Sequence, residues 1–158
     1  MKVLGKSEFN LEECPIAFSV SEIGDKWSLL LIRDLFFGFS RFEQFQKRLS
    51  ISKSVLSTKL KNLLEKEIVK LHKYKEAGQR ERKEYRLTRK GYQLAYLMAS
   101  MIQWGNDQME KTEGDFLQIS NLKGEPVKLV FSDASGRELR MDEIEVSFFR
   151  KDLIPSTK

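Results

Sequence analysis

The stretch from Ser52 to Lys66, SKSVLSTKLKNLLEK, contains neither glycine nor proline and predicts one helix of about four turns. Ser52 precedes the first turn and can cap it by accepting a backbone N–H. At about 100° per residue, four leucines share one side of this helix: Leu56, Leu60, Leu63 and Leu64. The opposite side is small, hydroxylated and cationic, with almost no acid before the last turn. It carries Ser54, Thr58, Lys61, Asn62 and Glu65, with Lys53 and Ser57 near its N-terminal end. Such side chains let a helix lie deep in a nucleic-acid groove. An ordinary solvated amphipathic helix would show the same pattern, so the neighbouring segments have to decide.

The segments on either side of this helix predict a helix-turn-helix unit with a wing. Residues 41–49 have helical spacing of Phe42, Phe45 and Leu49, and only 50–52 separate them from the next helix. After the helix, residues 68–74 and 83–87 alternate apolar and polar side chains, as paired strands do. The polar, glycine-containing loop 75–82 joins them. A helix-turn-helix followed by two strands and a basic loop is typical of a protein that reads duplex DNA.

The charge of the chain is concentrated in the same region. The net charge of the 158 residues is +5, but residues 47–90 alone contain 15 basic and five acidic residues. Residues 113–158 are slightly acidic, with seven basic and nine acidic side chains. A local excess of +10 indicates a polyanionic partner, either nucleic acid or an anionic membrane surface. The membrane alternative is weaker, because no helix here combines a basic side with large exposed apolar residues.

Several other functions are excluded by composition. A single cysteine, Cys14, allows no intrachain disulfide and favours a reducing compartment, and the N-terminus lacks a signal peptide, so we expect a cytoplasmic protein. The most apolar stretch, 27–39, is too short and too polar to span a bilayer. One histidine and no phosphate-binding loop or metal-ligand spacing argue against an enzyme, and no cofactor or metal is expected.

Helices and strands outside this region complete the predicted architecture. Cys14-Pro15 opens a helix that Gly24 ends, Asp25 caps a central core helix, and Thr88 caps a helix of about 22 residues from Arg89. That long helix carries an apolar row suited to a subunit interface: Leu94, Leu97, Met98, Met101, Ile102 and Trp104. Residues 113–158 have turn signals and strand composition. We therefore expect a mainly α fold with a small β wing, divided into 1–112 and a small C-terminal β-rich extension, 113–158.

The sequence resembles the HxlR-type winged helix-turn-helix transcription regulators, which have a MarR-like fold. The resemblance covers about residues 14–105 and rests on short motifs in a fixed order: Cys14-Pro15, Gly24-Asp-Lys-Trp27, Arg41-Phe42, Ile51-Ser52, Glu67-Ile-Val69, Glu84-Tyr-Arg-Leu-Thr88, Gly91 and Trp104-Gly105. It implies a homodimer, joined through the N-terminal region and the long C-terminal helix, that binds a pseudo-palindromic operator near its own or adjacent genes. Ser54 departs from the pattern, since a basic residue is usual there.

The candidate DNA contacts fall into two groups. On the central helix they are Lys53, Ser54, Ser57, Thr58 and Lys61. In the wing and on the preceding helix, where they would bind phosphates or the minor groove, they are Arg41, Gln44, Lys47, Arg48, Lys75, Arg80, Arg82 and Lys83.

Cys14 is a candidate redox sensor, because a helix N-terminus stabilises a thiolate, and relatives use a cysteine here to sense oxidants or electrophiles. A small buried apolar role is the alternative. The expected function is a dimeric repressor that binds double-stranded DNA and responds to a redox or small-molecule effector. The competing interpretation is a winged-helix protein-interaction adaptor without specific DNA binding.

Overall fold

The computed structural model describes residues 2–4, 11–75, 81–109 and 117–147. In chain order, its helices and strands are β1 (Lys2–Leu4), α1 (Pro15–Ile23), α2 (Lys26–Phe36), α3 (Phe42–Leu49), α4 (Lys53–Glu65), β2 (Val69–Tyr74), β3 (Arg82–Leu87), α5 (Arg89–Tyr92), α6 (Ala95–Gln108), β4 (Phe131–Ser132), β5 (Glu138–Leu139) and β6 (Glu145–Ser147). Single 3-10 turns lie at Leu11–Glu13 and Met141–Glu143. The mainly α fold with a small β wing is confirmed.

The predicted helix caps of the N-terminal half are present. The Sγ of Cys14 accepts the Ala17 N–H at 3.4 Å, and Pro15 is the first residue of α1. Ser52 caps α4 by accepting the Val55 N–H at 3.3 Å. Between α3 and α4, Ser50 adopts a left-handed conformation, with φ at 49°. This residue reverses the chain within a few positions and produces the tight helix-turn-helix connection.

The core is formed where α2, α3, α4 and the wing strands meet. Its fully buried side chains include three of the four predicted leucines of α4, and Leu64 is partly buried beside them. Among the described residues, the buried hydrophobic side chains are Ile23, Leu31, Ile32, Phe45, Ile51, Leu56, Leu60, Leu63, Ile68, Val69, Leu87 and Met98. Because the leucine side of α4 packs inward, its hydroxylated and basic side faces outward.

The wing is an antiparallel pair, β2 and β3, in which Val69 faces Leu87 and Tyr74 faces Arg82. The link before α3 is also bound to the wing through the backbone, because the Tyr85 N–H donates to the Ser40 carbonyl at 2.8 Å. Tyr85 also packs against Phe45 of α3, with 6.2 Å between ring centroids. The wing is therefore fixed to the first helix of the helix-turn-helix unit.

The helix predicted from Arg89 to about residue 111 is wrong in one respect, since it is divided into α5 and α6 at residues 93–94. Thr88 caps α5 as predicted, donating its hydroxyl to the Glu67 carbonyl at 2.6 Å and accepting the Gly91 N–H at 3.1 Å. Gly91 lies so close to β2 that a Cβ there would meet the Ile68 carbonyl oxygen at 2.2 Å. At the break, the Leu94 N–H donates to the Gly91 carbonyl, three residues back, so the turn tightens before α6 continues.

The C-terminal extension is a small set of turns and strands, as predicted. Strands β4 and β5 form an antiparallel hairpin, in which Phe131 faces Leu139. The sequence did not predict that β6 pairs in parallel with the N-terminal β1. The side-chain amide of Gln103 on α6 makes two hydrogen bonds to the backbone of Leu129 in the extension. Its nitrogen donates to the Leu129 carbonyl at 3.0 Å, and its oxygen accepts the Leu129 N–H at 2.8 Å.

Candidate nucleic-acid interface

The outward side of α4 is where the sequence places its main DNA contacts. All five of the predicted residues on this helix are exposed, and together they define what we call the reading face: Lys53, Ser54, Ser57, Thr58 and Lys61. Val55, which was not predicted, lies beside them with 38% of its surface exposed. Few bulky groups stand in front of the helix, so a groove could approach its backbone closely.

The side chains of the reading face are partly engaged with one another. The Thr58 hydroxyl donates to the Ser54 carbonyl at 3.0 Å, and the Ser54 and Ser52 hydroxyls lie 3.2 Å apart. Lys61 is 3.5 Å from Glu65, one turn further along. That ion pair is exposed and contributes little energy, so Lys61 can exchange it for a phosphate.

The inner side of α4 is tied to α2 by an ion pair. Lys59 Nζ lies 3.0 Å from Asp25 Oδ1. Asp25 also caps α2, since it accepts the N–H groups of Trp27 and Ser28 at 3.1 and 3.2 Å. Burial acts to raise the pKa of Asp25, but the hydrogen bonds from Ser28 and Lys59 outweigh it, so this pKa lies below its ordinary 3.8.

The C-terminal end of α4 is tied to α1 and α5 by two lysines that sequence reasoning missed. The Lys66 ammonium donates to the last carbonyls of α1, those of Ser21 and Glu22. Lys90 of α5 donates to the Lys66 carbonyl at 2.9 Å and pairs with the Glu22 carboxylate at 2.5 Å. Cations at helix C-terminal ends are favourable there because of the exposed carbonyl groups. Only Lys66, which directly follows α4, has a sequence signal for this role, because Lys90 lies near the start of α5.

On α3, the predicted phosphate-binding residues have different surroundings. Lys47 is exposed. Arg48, in contrast, pairs with the fully buried Asp34 at 3.0 Å, and its guanidinium lies 3.7 Å from the centre of the Phe39 ring. Arg33 shares the same carboxylate at 2.6 Å. Arg48 therefore joins α3 to α2, in addition to any phosphate contact.

Gln44 and Arg41, at the start of α3, are both bound to groups of the chain. The Gln44 side-chain oxygen accepts the N–H groups of Ser40 and Arg41 at 3.0 and 2.9 Å, which caps the helix. The Arg41 guanidinium lies 4.7 Å from the centre of the Tyr74 ring at the end of β2. This cation–π contact places a basic group between α3 and the wing.

The wing supplies further exposed cations at Lys75, Arg82 and Lys83, while the predicted Arg80 lies outside the described residues. An acidic residue, Glu84, lies among them. Burial acts to raise its pKa, but hydrogen bonds from Arg86 and Ser40 outweigh it and hold the pKa below the usual 4.5. The Glu84 carboxylate binds Arg86 at 2.7 Å and the Ser40 hydroxyl at 3.1 Å, so it connects β3 to the link before α3.

The residues predicted for a subunit interface are only partly exposed in the single chain. Leu97, Met101 and Trp104 form an exposed row on α6, and Trp104 has 69% of its surface exposed. Met98 instead belongs to the core, and Leu94 packs against that core. Three exposed apolar residues of α1 were not predicted for this role: Ile16, Phe18 and Val20. The sequence signal was the apolar composition of α1. The structure buries only Ile23 of this helix.

Cys14 is half-buried at the N-terminus of α1. In the described ranges, no three His, Cys, Asp or Glu side chains are grouped as a metal ion would require. Nor does any helix within those ranges have the length and apolar character needed to cross a membrane.

These features define the class of a winged helix-turn-helix protein: a core-anchored second helix with a small basic outer side, followed by a basic two-stranded wing. The model of the HxlR-like helix-turn-helix family matches residues 22–113, so the chain belongs to that family.

Known proteins similar to the chain agree with this assignment. Mb3122, an uncharacterised HTH-type transcriptional regulator of Mycobacterium bovis, is 36% identical over 97 residues, which are 61% of this chain and 60% of that protein. The chain thus spans about 60% of the length of this mycobacterial relative. YybR of Bacillus subtilis, also named an HTH-type transcriptional regulator, is 30% identical over 66% of this chain and 82% of its own. None of these names describes an enzyme.

Two solved structures show how far the similarity extends. PA1607, proposed to be a transcription factor, superposes with a TM-score of 0.74 at 34% identity, covering 85% of this chain and 94% of its own. The oxidised form of the redox regulator HypR has a TM-score of 0.55 at 30% identity, covering 61% of this chain and 99% of its own. The first match covers more of the chain than residues 1–112 make up, so it includes part of the C-terminal extension, whereas the second covers a smaller share.

Proposed function

We propose that this chain is a sequence-specific, double-stranded DNA-binding transcription regulator that acts as a homodimer in the cytoplasm. The observation that carries the proposal is the reading face of α4. It is exposed, small and basic, while the other side of the same helix is fixed by buried leucines and by Lys59 and Lys66. A rigidly held helix with a clear outer side is what major-groove reading requires.

The second part of the proposal assigns the remaining basic residues to the DNA backbone. Phosphate contacts fix the register of a protein on the duplex without reading its sequence. We assign this role to Lys47 and to the wing residues Lys75, Arg82 and Lys83, all exposed, and to Arg80. Arg41, Gln44 and Arg48 stay in the set, although each also stabilises the elements around it.

The third part concerns assembly and regulation. The exposed row of Leu97, Met101 and Trp104 on α6, with the apolar residues of α1, supports a homodimer that binds a pseudo-palindromic operator and represses its own or adjacent genes. Cys14 at the start of α1 is the proposed position for a redox response, and a small-molecule effector is the alternative signal.

We divide the chain into two parts, residues 1–112 and 113–158. The extension is bound along α6 through the side chains of Gln103 and Asn106.

A gel-shift titration with the DNA upstream of its own gene tests the proposal. At low salt we expect a specific complex that survives excess nonspecific duplex. Binding should weaken steeply with salt, since a dimer that neutralises about 6–10 phosphates releases a similar number of counterions. If no specific complex forms at low salt, the specific-binding proposal is wrong. The adaptor interpretation requires instead that replacing Lys53, Lys61, Arg80 and Arg82 together by Ala leaves regulation intact.

A further inference from the structure

The hydroxyl groups at the centre of the reading face are turned toward the protein itself. The Thr58 hydroxyl donates its proton to the Ser54 carbonyl at 3.0 Å. Because Cβ of threonine carries one hydroxyl and one methyl group, this bond leaves the methyl group as the part of Thr58 that can face a base. A Thr58 held in this way cannot also donate to a base edge.

Two further observations give the same region an apolar character. Ser54, one turn before Thr58, has its hydroxyl 3.2 Å from that of Ser52, so the two serines share a hydrogen bond. Val55, adjacent in sequence, is an apolar residue with 38% of its surface exposed on a helix that otherwise buries its apolar side chains. Ser54 itself is short and exposed, so it adds no bulky side chain beside Thr58 and Val55.

We infer that Thr58 and Val55 form an apolar contact that reads the 5-methyl groups of thymines in the major groove. Only thymine presents a methyl group there, so apolar side chains distinguish it from cytosine and from the purines. The inference rests on the proposed function and makes it more specific: the operator half-site contains thymine at the positions beneath the second turn of α4. Lys53 and Lys61 remain available for guanine or phosphate.

Deoxyuridine, which differs from thymidine only by the missing methyl group, provides a direct probe. A preferred duplex is first selected by the full-length protein from a random library, and each thymine is then replaced singly by deoxyuridine. We expect one or two positions in each half-site to lose about fourfold in affinity, the equivalent of about 0.8 kcal/mol for one buried methyl-sized group. Fluorescence anisotropy at a single fixed salt concentration measures the ratio.

Protein variants assign the contact to the two side chains. Thr58→Ser keeps the hydroxyl bonded to Ser54 and removes the methyl group, so it should abolish the uracil penalty at one position. Val55→Ala should do the same at the neighbouring position. Ser57→Ala, on the same face but without loss of a methyl group, is the matched control, and its thymine-to-uracil ratio should equal that of the wild type.

The outcomes separate this inference from the proposed function. A protein that selects no sequence from the library contradicts both. A protein that selects a sequence but binds its uracil versions equally well contradicts only the methyl-reading inference. The methyl-reading inference is also contradicted if both Thr58→Ser and Val55→Ala keep every uracil penalty of the wild type.

Discussion

Lys59 and Asp25 connect α4 to the start of α2, with 3.0 Å between the ammonium and the carboxylate. The same carboxylate caps α2 through two backbone N–H groups. One acidic side chain thus fixes the beginning of one helix and the inner side of another.

Replacing Asp25 by Asn should make stability less dependent on acid pH. The pKa of Asp25 in the folded protein lies below its ordinary value of 3.8. A lowered pKa means that the carboxylate contributes stability above the unfolded pKa, and this contribution is lost as the pH falls through the folded value. Urea unfolding of wild type and Asp25→Asn between pH 6 and pH 3 should show a stability difference that shrinks below about pH 4. A difference that stays constant across this range would contradict the lowered pKa of Asp25.

Lys47 and Arg48 are neighbours on α3 that should respond oppositely to substitution. Lys47→Met should leave the free energy of unfolding within about 0.5 kcal/mol of wild type, because the side chain is exposed. It should lower the slope of log affinity against log salt by about one per subunit. Salt titrations of DNA binding measure that slope.

Arg48→Met should lower stability by about 1–3 kcal/mol, because it leaves the buried Asp34 carboxylate with fewer partners. Chemical denaturation measures this change, and Lys47→Met is its matched control. If the Lys47→Met and Arg48→Met variants had equal stability, Arg48 would not join α3 to α2 through Asp34.

Replacing Glu67, two residues after the end of α4, by glycine should raise the stability of the folded protein. Its φ of 55° lies in the left-handed region, which costs residues with a Cβ about 1 kcal/mol. Glu67→Gly should therefore raise the free energy of unfolding by up to about 1 kcal/mol, less the entropy that glycine adds to the unfolded chain. Glu65→Gly, inside the helix, is the control and should lower it by about 1 kcal/mol. The reverse order of the two variants would be incompatible with this backbone conformation.

Trp104 should be required for dimerisation. Trp104→Glu places a charge on the exposed row of α6 and should shift the protein from dimer to monomer in sedimentation velocity. Leu122→Glu, at a fully exposed turn of the extension, should remain dimeric. Met98→Ala should instead lower stability by about 2–3 kcal/mol, since Met98 is part of the core. A dimeric Trp104→Glu variant would exclude this row as the interface.

Local sequence signals were sufficient for the helix-turn-helix and the wing. Caps such as Ser52 and Asp25, and the leucine spacing of α4, depend on groups within a few residues, so a single sequence displays them. The features that were missed depend on distant groups. The break at residues 93–94 accompanies the close approach of Gly91 to Ile68, and no local signal marks it.

The candidate site could be predicted from the sequence only in part, for the same physical reason. The reading face follows from helical periodicity, and the structure places its five residues on the exposed side. The double role of Arg48 could not be predicted, because Asp34 lies 14 positions earlier in the chain. The pairing of β1 with β6 joins the two ends of the chain and likewise has no local signal.

The most direct test of DNA reading by α4 is the affinity of Ser54→Glu for the selected duplex. A negative charge in the first turn of a helix is favourable for the helix itself, so this variant should be at least as stable as wild type. In the major groove the same charge would lie close to the base edges and between the two phosphate backbones, so we expect affinity to fall by roughly 100-fold or more. Lys123→Glu, in the extension, changes the net charge by a larger amount and should bind within about threefold of wild type. A folded Ser54→Glu protein that binds the duplex as tightly as wild type would contradict the account.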